Sequence, residues 1–283
     1  MENGLENWIR GIVEAFIASD QNKLKNKEND PAWDKPLVGF SKGDDPIFTQ
    51  FKEDIGAFYL TPGELFAKSF PDVSVTPDEL SVISWVLPHI EKTKLDNSKE
   101  KTLPAERWAR ARIFGEQVNM KLRSHLVAVL TGAGHEALAP LDSPFFEGKV
   151  SERYGMASTW SERHTAYAAG LGTFGLCDGL ITPVGKAMRV GSVIARVQVP
   201  ATERPYSDHH AYCLWFANGT CGKCVERCPV NAISREKGHL KAPCREYVNG
   251  TREYVKSQFG FEGYACGLCQ TGVPCESGIP VKP

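Results

Sequence analysis

The chain has 283 residues, of which 42% are hydrophobic and 24% charged, and its formal net charge is −1. These values are ordinary for a soluble globular protein of one large or two smaller domains, and they give no electrostatic case for binding nucleic acid or an acidic membrane surface. No apolar run approaches the ~20 residues of a membrane helix, and the acidic N-terminus carries no export signal, so we expect a cytoplasmic protein with no membrane partner.

The first two hundred residues predict alternating helices and strands. Helices are predicted over residues 5–19, 104–130 and 161–169, and strands over residues 37–40, 80–87, 179–182 and 190–199. Residues 20–63 are polar and interrupted by prolines, which favours loops with short elements. The alternation predicts a layered α/β domain over residues 1–205, with a boundary near residues 201–205.

The remaining segment is rich in cysteine. Eight of the nine cysteines follow the boundary, as Cys213-x7-Cys221-x2-Cys224-x3-Cys228-Pro229, then Cys244, then Cys266-x2-Cys269-x5-Cys275. Bacterial ferredoxins hold one 4Fe-4S cluster by three closely spaced cysteines, and a fourth, before proline, binds the other cluster. Cytoplasmic thiols stay reduced, so dense cysteines indicate metal ligands rather than disulfides. We therefore expect residues 206–283 to form a small bacterial-ferredoxin-like domain with two 4Fe-4S clusters.

The ferredoxin arrangement crosses the two halves of the cysteine pattern. It assigns a first set, Cys213, Cys221, Cys224 and Cys275, to one cluster, and a second set, Cys228, Cys244, Cys266 and Cys269, to the other. The usual spacing would place the first ligand at Asn218, so Cys213 has to loop round to replace it; an asparagine ligand or a three-cysteine cluster with an open iron are the alternatives. Four-cysteine zinc sites are the competing interpretation, but the Cys228-Pro229 pair favours clusters.

A glycine-rich turn follows the third predicted helix, at Gly170-Leu171-Gly172-Thr173-Phe174-Gly175. Glycines allow unusual dihedral angles and close backbone approach, either to a ligand or within a tight structural turn. The turn does not follow a strand and open a helix, so it does not fit a dinucleotide-binding motif.

This turn, the loop Thr182–Arg189 and the cysteine-rich segment together resemble the epoxyqueuosine reductase and reductive dehalogenase superfamily, over residues 80–283. Members carry an AGLGxxG turn ahead of a double-cluster module, and dehalogenases add a TPxxGxxxR-like loop, which here is one residue shorter. The resemblance implies a nitroreductase-like α/β domain that holds cobalamin, with the clusters feeding electrons to its cobalt. The cofactor-binding residues that it implies are Gly170, Leu171, Gly172, Gly175, Cys177, Thr182, Pro183, Gly185 and Arg189.

The chain also departs from the superfamily. Epoxyqueuosine reductases place an acidic residue shortly before the Glu-Arg pair, whereas residues 154–161 contain no carboxylate. The helical-repeat extension that helps those enzymes to bind tRNA is absent, so tRNA is not the expected substrate. Respiratory dehalogenases usually carry an export signal and a larger cap over the active site. We therefore expect dehalogenation only by a compact form of such an enzyme that acts on a small molecule.

Reductive chemistry needs a proton as well as electrons. Tyr154, His164 and Tyr167 are the candidate catalytic donors, and Cys177 is a further option. The competing interpretation is structural: tyrosines at a core rim, a hydrogen-bonded histidine and, for Cys177, a small buried hydrophobic residue.

Two functions follow from these expectations. The first is a reductase in which two clusters pass single electrons to a cobalamin that reduces a small organic substrate; FMN is a lesser alternative cofactor. The second is a non-catalytic electron-transfer protein that serves a partner redox or corrinoid enzyme. A deep pocket beside Gly170–Gly175 favours the first, whereas a filled pocket with one cluster near the surface favours the second. In either case a ferredoxin or flavodoxin would donate electrons. The basic residues of the long helix, with Trp108, could dock it, but a solvated helix face is the favoured interpretation of Arg107, Arg110, Arg112, Lys121 and Arg123.

Overall fold

The structure, a computed structural model, describes residues 2–281, with side chains from residue 4 onward. Its α-helices are α1 (Glu2–Ala18), α2 (Ile47–Ile55), α3 (Pro62–Ser69), α4 (Glu91–Lys99), α5 (Glu106–Arg110), α6 (Glu116–Gly132), α7 (Glu162–Ala168), α8 (Leu214–Asn218), α9 (Lys223–Glu226), α10 (Lys241–Gly250) and α11 (Arg252–Phe259). Its strands are β1 (Leu37–Lys42), β2 (Ser81–Pro88), β3 (Ala137–Leu138), β4 (Gly148–Ser151), β5 (Gly155–Ser158), β6 (Thr173–Phe174), β7 (Leu180–Ile181), β8 (Met188–Ala195), β9 (Ile233–Ser234) and β10 (Gly238–His239).

A four-stranded antiparallel sheet, in the order β1-β2-β8-β3, forms the centre of the molecule. All eight residues of β2 are buried because helices cover both faces of the sheet. Alternate side chains point to opposite faces of a strand, so Trp85 contributes to the core with α1 and α6, Val82 to that with α2 and α3, and Val86 to that with α7. The class is therefore mixed α/β, as expected, with antiparallel pairing in the central sheet.

The long helix predicted over residues 104–130 is confirmed, with one local change. A π-helical turn, Ala111–Gly115, separates α5 from α6. The Trp33 ring packs against Gly115, where a Cβ atom would lie 2.6 Å from it, and the indole N–H donates to the Gly115 carbonyl at 3.0 Å. The π-helical turn thus coincides with a large aromatic side chain packed against the helix.

Residues 20–63 consist of loops with short elements, as expected. The region contains β1, as predicted, but also α2 and the start of α3. Thr61 and Glu64 form a capping box at the start of α3, and Pro62 occupies its first turn. These local signals fix the helix start. Phe48 and Phe66, one from each helix, are buried against the sheet.

The cysteine-rich segment folds into short elements, α8 to α11 and the hairpin β9–β10. It packs directly on the first part of the chain: Trp108 of α5 shares a hydrophobic cluster with Val255 and Ala265. The domain boundary near residues 201–205 and the ferredoxin-like character of the segment stay predictions. In the part of the chain that the structure describes, no helix has the length and apolarity to cross a bilayer.

Candidate metal centre

The first set of cysteines faces one cavity. Cys213, Cys221, Cys224 and Cys275 all line it. Cys213 precedes α8, and that helix ends at Gly219, whose φ of 70° reverses the chain so that Cys221 returns to the cavity. The four thiols assigned to one cluster therefore line the same cavity, and their role as cluster ligands stays a prediction.

Three members of the second set are also neighbours. Burial, together with the nearby sulfurs of Cys244 and Cys228, raises the pKa of the Cys266 thiol to about 11. The backbone N–H of Ala232 donates to the Cys228 sulfur at 3.2 Å. Such a bond stabilises a thiolate. Close packing of thiols raises the free energy of their ionised forms unless a bound cation or cluster compensates it.

Cys177 lies between the two sets, although the sequence places it outside both. Its side chain is 6% exposed. The Cys177 side chain packs with Cys224, from the first set, and Cys269, from the second. These thiols, together with Lys186, hold the pKa of Cys177 well below its usual value. Sequence spacing gave no signal for this position because Cys177 is 36 residues from the nearest other cysteine.

Lys186 supplies a buried positive charge among the thiols. The residue is 2% exposed, and its Nζ donates to the Cys177 sulfur at 3.2 Å. Burial disfavours its charged form, but the thiols of Cys177 and Cys275 outweigh that effect and its pKa lies well above the usual value. A buried ammonium needs compensating anions, and thiolates of iron-sulfur clusters are anions of the right kind.

The donor set therefore fits iron-sulfur clusters in its chemistry. Across residues 2–281, no three histidine, cysteine, aspartate or glutamate side chains are arranged to hold a single metal ion. The thiols of the first set instead line a shared cavity together with Lys186 and Trp215.

Protein backbone occupies the space beside the glycine-rich turn. A Cβ atom at Gly170, where φ is 74°, would lie 2.3 Å from the Glu203 carbonyl oxygen, and one at Gly172 would lie 2.3 Å from that of Ile181. The Tyr206 hydroxyl donates to the Tyr167 carbonyl at 2.7 Å and accepts the Gly172 N–H at 3.3 Å. Internal packing thus accounts for these two glycines, and Leu171 beside them is buried. Only Gly175 of the turn lines the cavity of the first set.

The second predicted cofactor loop is a closed turn. The Thr182 hydroxyl donates to the Gly185 carbonyl at 2.7 Å, with Pro183 exposed at the tip. A Cβ atom at Gly185 would lie 2.0 Å from the Glu276 carbonyl oxygen, so this glycine allows the turn to dock on the cysteine-rich segment. Arg189 pairs with Glu116 at 3.0 Å, and burial lowers its pKa to about 10. These residues contact protein, and the contacts do not assemble a corrinoid cradle from them.

The three candidate proton donors do not form one group. His164 and Tyr167 both contact the rings of Phe51 and Phe174. Burial lowers the pKa of His164 to about 3, so it is neutral, and Ser161 bonds its Nδ1 at 2.7 Å. Tyr154 stands apart.

Tyr154 lies in the turn between β4 and β5 and is 38% exposed. Its hydroxyl donates to the Asp54 carboxylate at 2.5 Å, and partial burial together with this bond raises its pKa to about 12. A phenol with so high a pKa is a weak acid at neutral pH.

Glu162 is a candidate that the sequence analysis missed. Both carboxyl oxygens are inaccessible to solvent and, among the described residues, lack a well-formed hydrogen bond. Burial raises its pKa to about 7, against the effects of Ser192 and Arg123. A carboxyl that is half protonated at neutral pH can donate a proton. The sequence signal was present in the Glu-Arg pair itself, but burial of the side chain was not visible from it.

The docking site considered for an electron donor on the long helix is not free. Trp108 is 5% exposed, and Arg107 pairs with Asp30 at 2.9 Å and with Asp96 at 2.5 Å. These side chains hold α5 to its neighbours. The structure thus favours a structural role for Arg107 and Trp108 over docking, which is also the less favoured interpretation of the sequence.

Comparison with known proteins gives two kinds of relative. No family model matches the chain. The chain is 27% identical over 124 residues to the epoxyqueuosine reductases of Bacillus anthracis and Bacillus cereus, a match that covers 42% of this chain and 30% of each relative. It thus matches less than a third of the length of these curated relatives.

The solved structures to which the chain is similar are more distant in sequence. An epoxyqueuosine reductase is 17% identical with a TM-score of 0.49, covering 100% of this chain and 68% of that protein. A catabolic reductive dehalogenase is 15% identical with a TM-score of 0.49, covering 96% of this chain and 37% of that protein.

Proposed function

Since this chain belongs to the superfamily of epoxyqueuosine reductases and reductive dehalogenases, we propose that it is an iron-sulfur oxidoreductase that passes single electrons through two 4Fe-4S clusters. The observation that carries the proposal is the convergence of four thiols, from Cys213 to Cys275, on one cavity beside the buried ammonium of Lys186. The similarity to epoxyqueuosine reductases supports the assignment of this chain as an oxidoreductase.

The cysteines would hold the clusters as the crossed pattern predicts. The first set is Cys213, Cys221, Cys224 and Cys275, and the second set is Cys228, Cys244, Cys266 and Cys269. When bound, the clusters supply one-electron transfer. The protein excludes water from Cys213, Cys224 and Cys275, each less than 10% exposed, and donates the Ala232 N–H to Cys228.

The resemblance to the superfamily favours cobalamin as the acceptor of these electrons, with a small organic molecule as the final substrate. Gly170, Gly172, Thr182, Gly185 and Arg189 would be its neighbours by resemblance. Their contacts in this structure are with protein, so we derive no step through a corrinoid, and FMN stays the lesser alternative.

A specific observation favours the second function, electron delivery to a partner enzyme. The glycine-rich turn is filled by backbone and covered by Tyr206, whereas Cys221 lies at an open surface groove with Lys223 and Glu226. A cluster ligand at the surface shortens the path to a partner. A ferredoxin or flavodoxin donor would approach the same groove.

The kind of substrate and the cellular location are also part of the proposal. The expectation against tRNA has no support from the curated relatives, which are epoxyqueuosine reductases. A tRNA carrying epoxyqueuosine therefore belongs in any substrate screen. We retain the cytoplasm as the proposed location because cluster thiols require a reducing compartment.

Metal analysis of anaerobically purified protein, expressed with added cobalamin, separates these functions. About eight irons per chain with broad visible absorption would establish the two clusters, and stoichiometric cobalt would establish the corrinoid reductase. Iron at that level without cobalt would favour electron delivery to a partner or a flavin enzyme. Protein without iron would reject the proposal.

A further inference from the structure

Lys186 is the buried charge that the proposed function leaves unexplained. Its ammonium faces sulfur: Nζ donates to the Cys177 sulfur at 3.2 Å, and the side chain lines the same cavity as Cys224 and Cys275. Carboxylates are the usual partners of a buried lysine, but here sulfur takes their place. The cation therefore belongs to the cysteine site rather than to a separate ion pair.

The position of Lys186 is fixed by the backbone on both sides. Its own N–H donates to the Cys275 carbonyl at 2.9 Å, and the next N–H, of Ala187, donates to the Glu276 carbonyl at 3.2 Å. The turn before it docks on the same segment through Gly185. These main-chain bonds hold Lys186 against the cysteine-rich segment, so its ammonium is not carried by a mobile surface residue.

The thiols around Lys186 come from both cluster sets. Cys177, the partner of Lys186, packs in one hydrophobic cluster with Cys224 and Cys275 of the first set and with Cys269 of the second. One positive charge therefore lies near both proposed clusters. In a buried site, a fixed charge at such short range acts much more strongly than it would in water.

We propose that Lys186 is a built-in counter-charge that sets the reduction potential of the clusters. The inference rests on the proposed function, because it needs the two clusters to be present. On reduction one electron enters a cluster, no bond forms or breaks, and Lys186 keeps its proton. The added negative charge is stabilised by the ammonium, so the lysine favours the reduced state.

Cys177 provides the competing account. If its sulfur is a thiolate that neutralises Lys186, the pair has little net charge and the clusters feel only a weak dipole. In that case Lys186→Met would leave the Cys177 thiolate without its cation, the thiolate would take up a proton from solvent, and the unchanged net charge would leave the potentials almost unchanged. The Cys177→Ala variant separates the two accounts, because Cys177 can then no longer neutralise Lys186.

The experiment is a redox titration followed by EPR spectroscopy on variants whose iron content is measured beforehand. We expect Lys186→Met and Lys186→Gln to keep both clusters and to lower the ratio of reduced to oxidised cluster, at a fixed potential, by about tenfold or more, which is a shift of ~59 mV or more for a one-electron couple. Lys186→Arg keeps the charge and should restore the wild-type ratio. The same loss should appear when Lys186→Met is added to Cys177→Ala.

Lys223→Met is the matched control. Lys223 is adjacent to Cys224 in sequence, but it is exposed and pairs with Glu226 at 2.7 Å. Solvent and the carboxylate screen its charge, so this variant should leave the ratio close to that of the wild type.

Unchanged potentials in both neutral variants, with iron retained, would overturn the inference. If both neutral variants lose iron, the Lys186→Arg variant tests the inference. Clusters retained at the wild-type potential support the need for a positive charge at this position, and lost clusters refute it. Wild-type protein without iron would instead reject the proposed function, so the two failures are distinguishable.

Discussion

The indole ring of Trp108 packs against Gly267, so closely that a Cβ atom on the glycine would lie 2.0 Å from the ring. Trp108 belongs to α5, which the first half of the chain contributes, whereas Gly267 lies between Cys266 and Cys269. Gly267 also has a φ of 69°, in the left-handed region. The two parts of the chain therefore meet at the backbone of a cysteine pair.

The contact predicts that Gly267→Ala is strongly destabilising. A left-handed alanine costs about 1–2 kcal/mol, and overpacking against a buried ring adds about 1–3 kcal/mol. Gly260→Ala is the control, because Gly260 has a φ of 73° with no atom within 4 Å of a Cβ, so it should show the first cost alone. Thermal unfolding followed by circular dichroism measures both, and equal losses would contradict the role of Trp108.

The crossed ligand scheme predicts the effect of Cys228→Ala. Cys228 belongs to the second set, so its loss should remove or degrade one cluster and reduce iron from about eight to about four per chain. Cys177→Ala is the comparison, because Cys177 lies outside both sets, and it should retain the full iron content. Unchanged iron in Cys228→Ala, or loss of iron in Cys177→Ala, would show that the eight ligands were chosen wrongly.

The contacts of Arg227 predict that the Arg227→Lys variant is less stable than the wild type. Its guanidinium donates to the carbonyls of Leu268 at 3.1 Å and Thr271 at 3.0 Å, and to those of Glu100 at 2.9 Å and Asn97 at 3.1 Å. Lysine cannot reproduce this fork, and charged hydrogen bonds contribute about 1.5–3 kcal/mol each to stability when their loss leaves a group unpaired. Arg227→Lys should therefore cost about 2 kcal/mol or more.

The control for this prediction is Arg245→Lys, on the exposed surface of α10, where the guanidinium donates to the Met156 sulfur, a weak acceptor, at 3.2 Å. A surface change of this kind should stay within about 0.5 kcal/mol. Similar unfolding temperatures for the two variants would argue against a fixed bracing role for Arg227.

The buried carboxyl group of Glu162 is expected to make the stability of the protein depend on pH. Its pKa is raised from 4.5 to about 7 by burial, so the folded state binds its proton more tightly than the unfolded state does. The stability that this proton provides is complete below pH ~4.5 and is lost as the pH rises through about 7, a change of roughly 3 kcal/mol.

Glu162→Gln should abolish that change. The pKa of His164, lowered to about 3, acts with the opposite sign because its stability is lost as the pH falls below ~6.5, but it contributes equally to both proteins. The difference between their free energies of unfolding, measured at several pH values, therefore isolates Glu162. A difference that does not vary between pH ~5 and pH ~8 would refute the raised pKa.

Local sequence was sufficient where the signal is local. Helix α1, the apolar strand β2 and the continuous helical pattern through α6 follow from periodicity, which depends only on neighbours along the chain. The cysteine spacing likewise defined two sets of thiols, and four of them do face one cavity. The resemblance to the reductase superfamily rested on the same kind of short-range pattern.

Tertiary structure alone decided which distant groups meet. It placed Cys177 between the two sets, buried Lys186 among the thiols, and enclosed the carboxyl group of Glu162. It also filled the space beside Gly170 and Gly172 with protein backbone. Burial and charge pairing depend on packing between segments far apart in the chain, and no spacing rule within one segment carries that information.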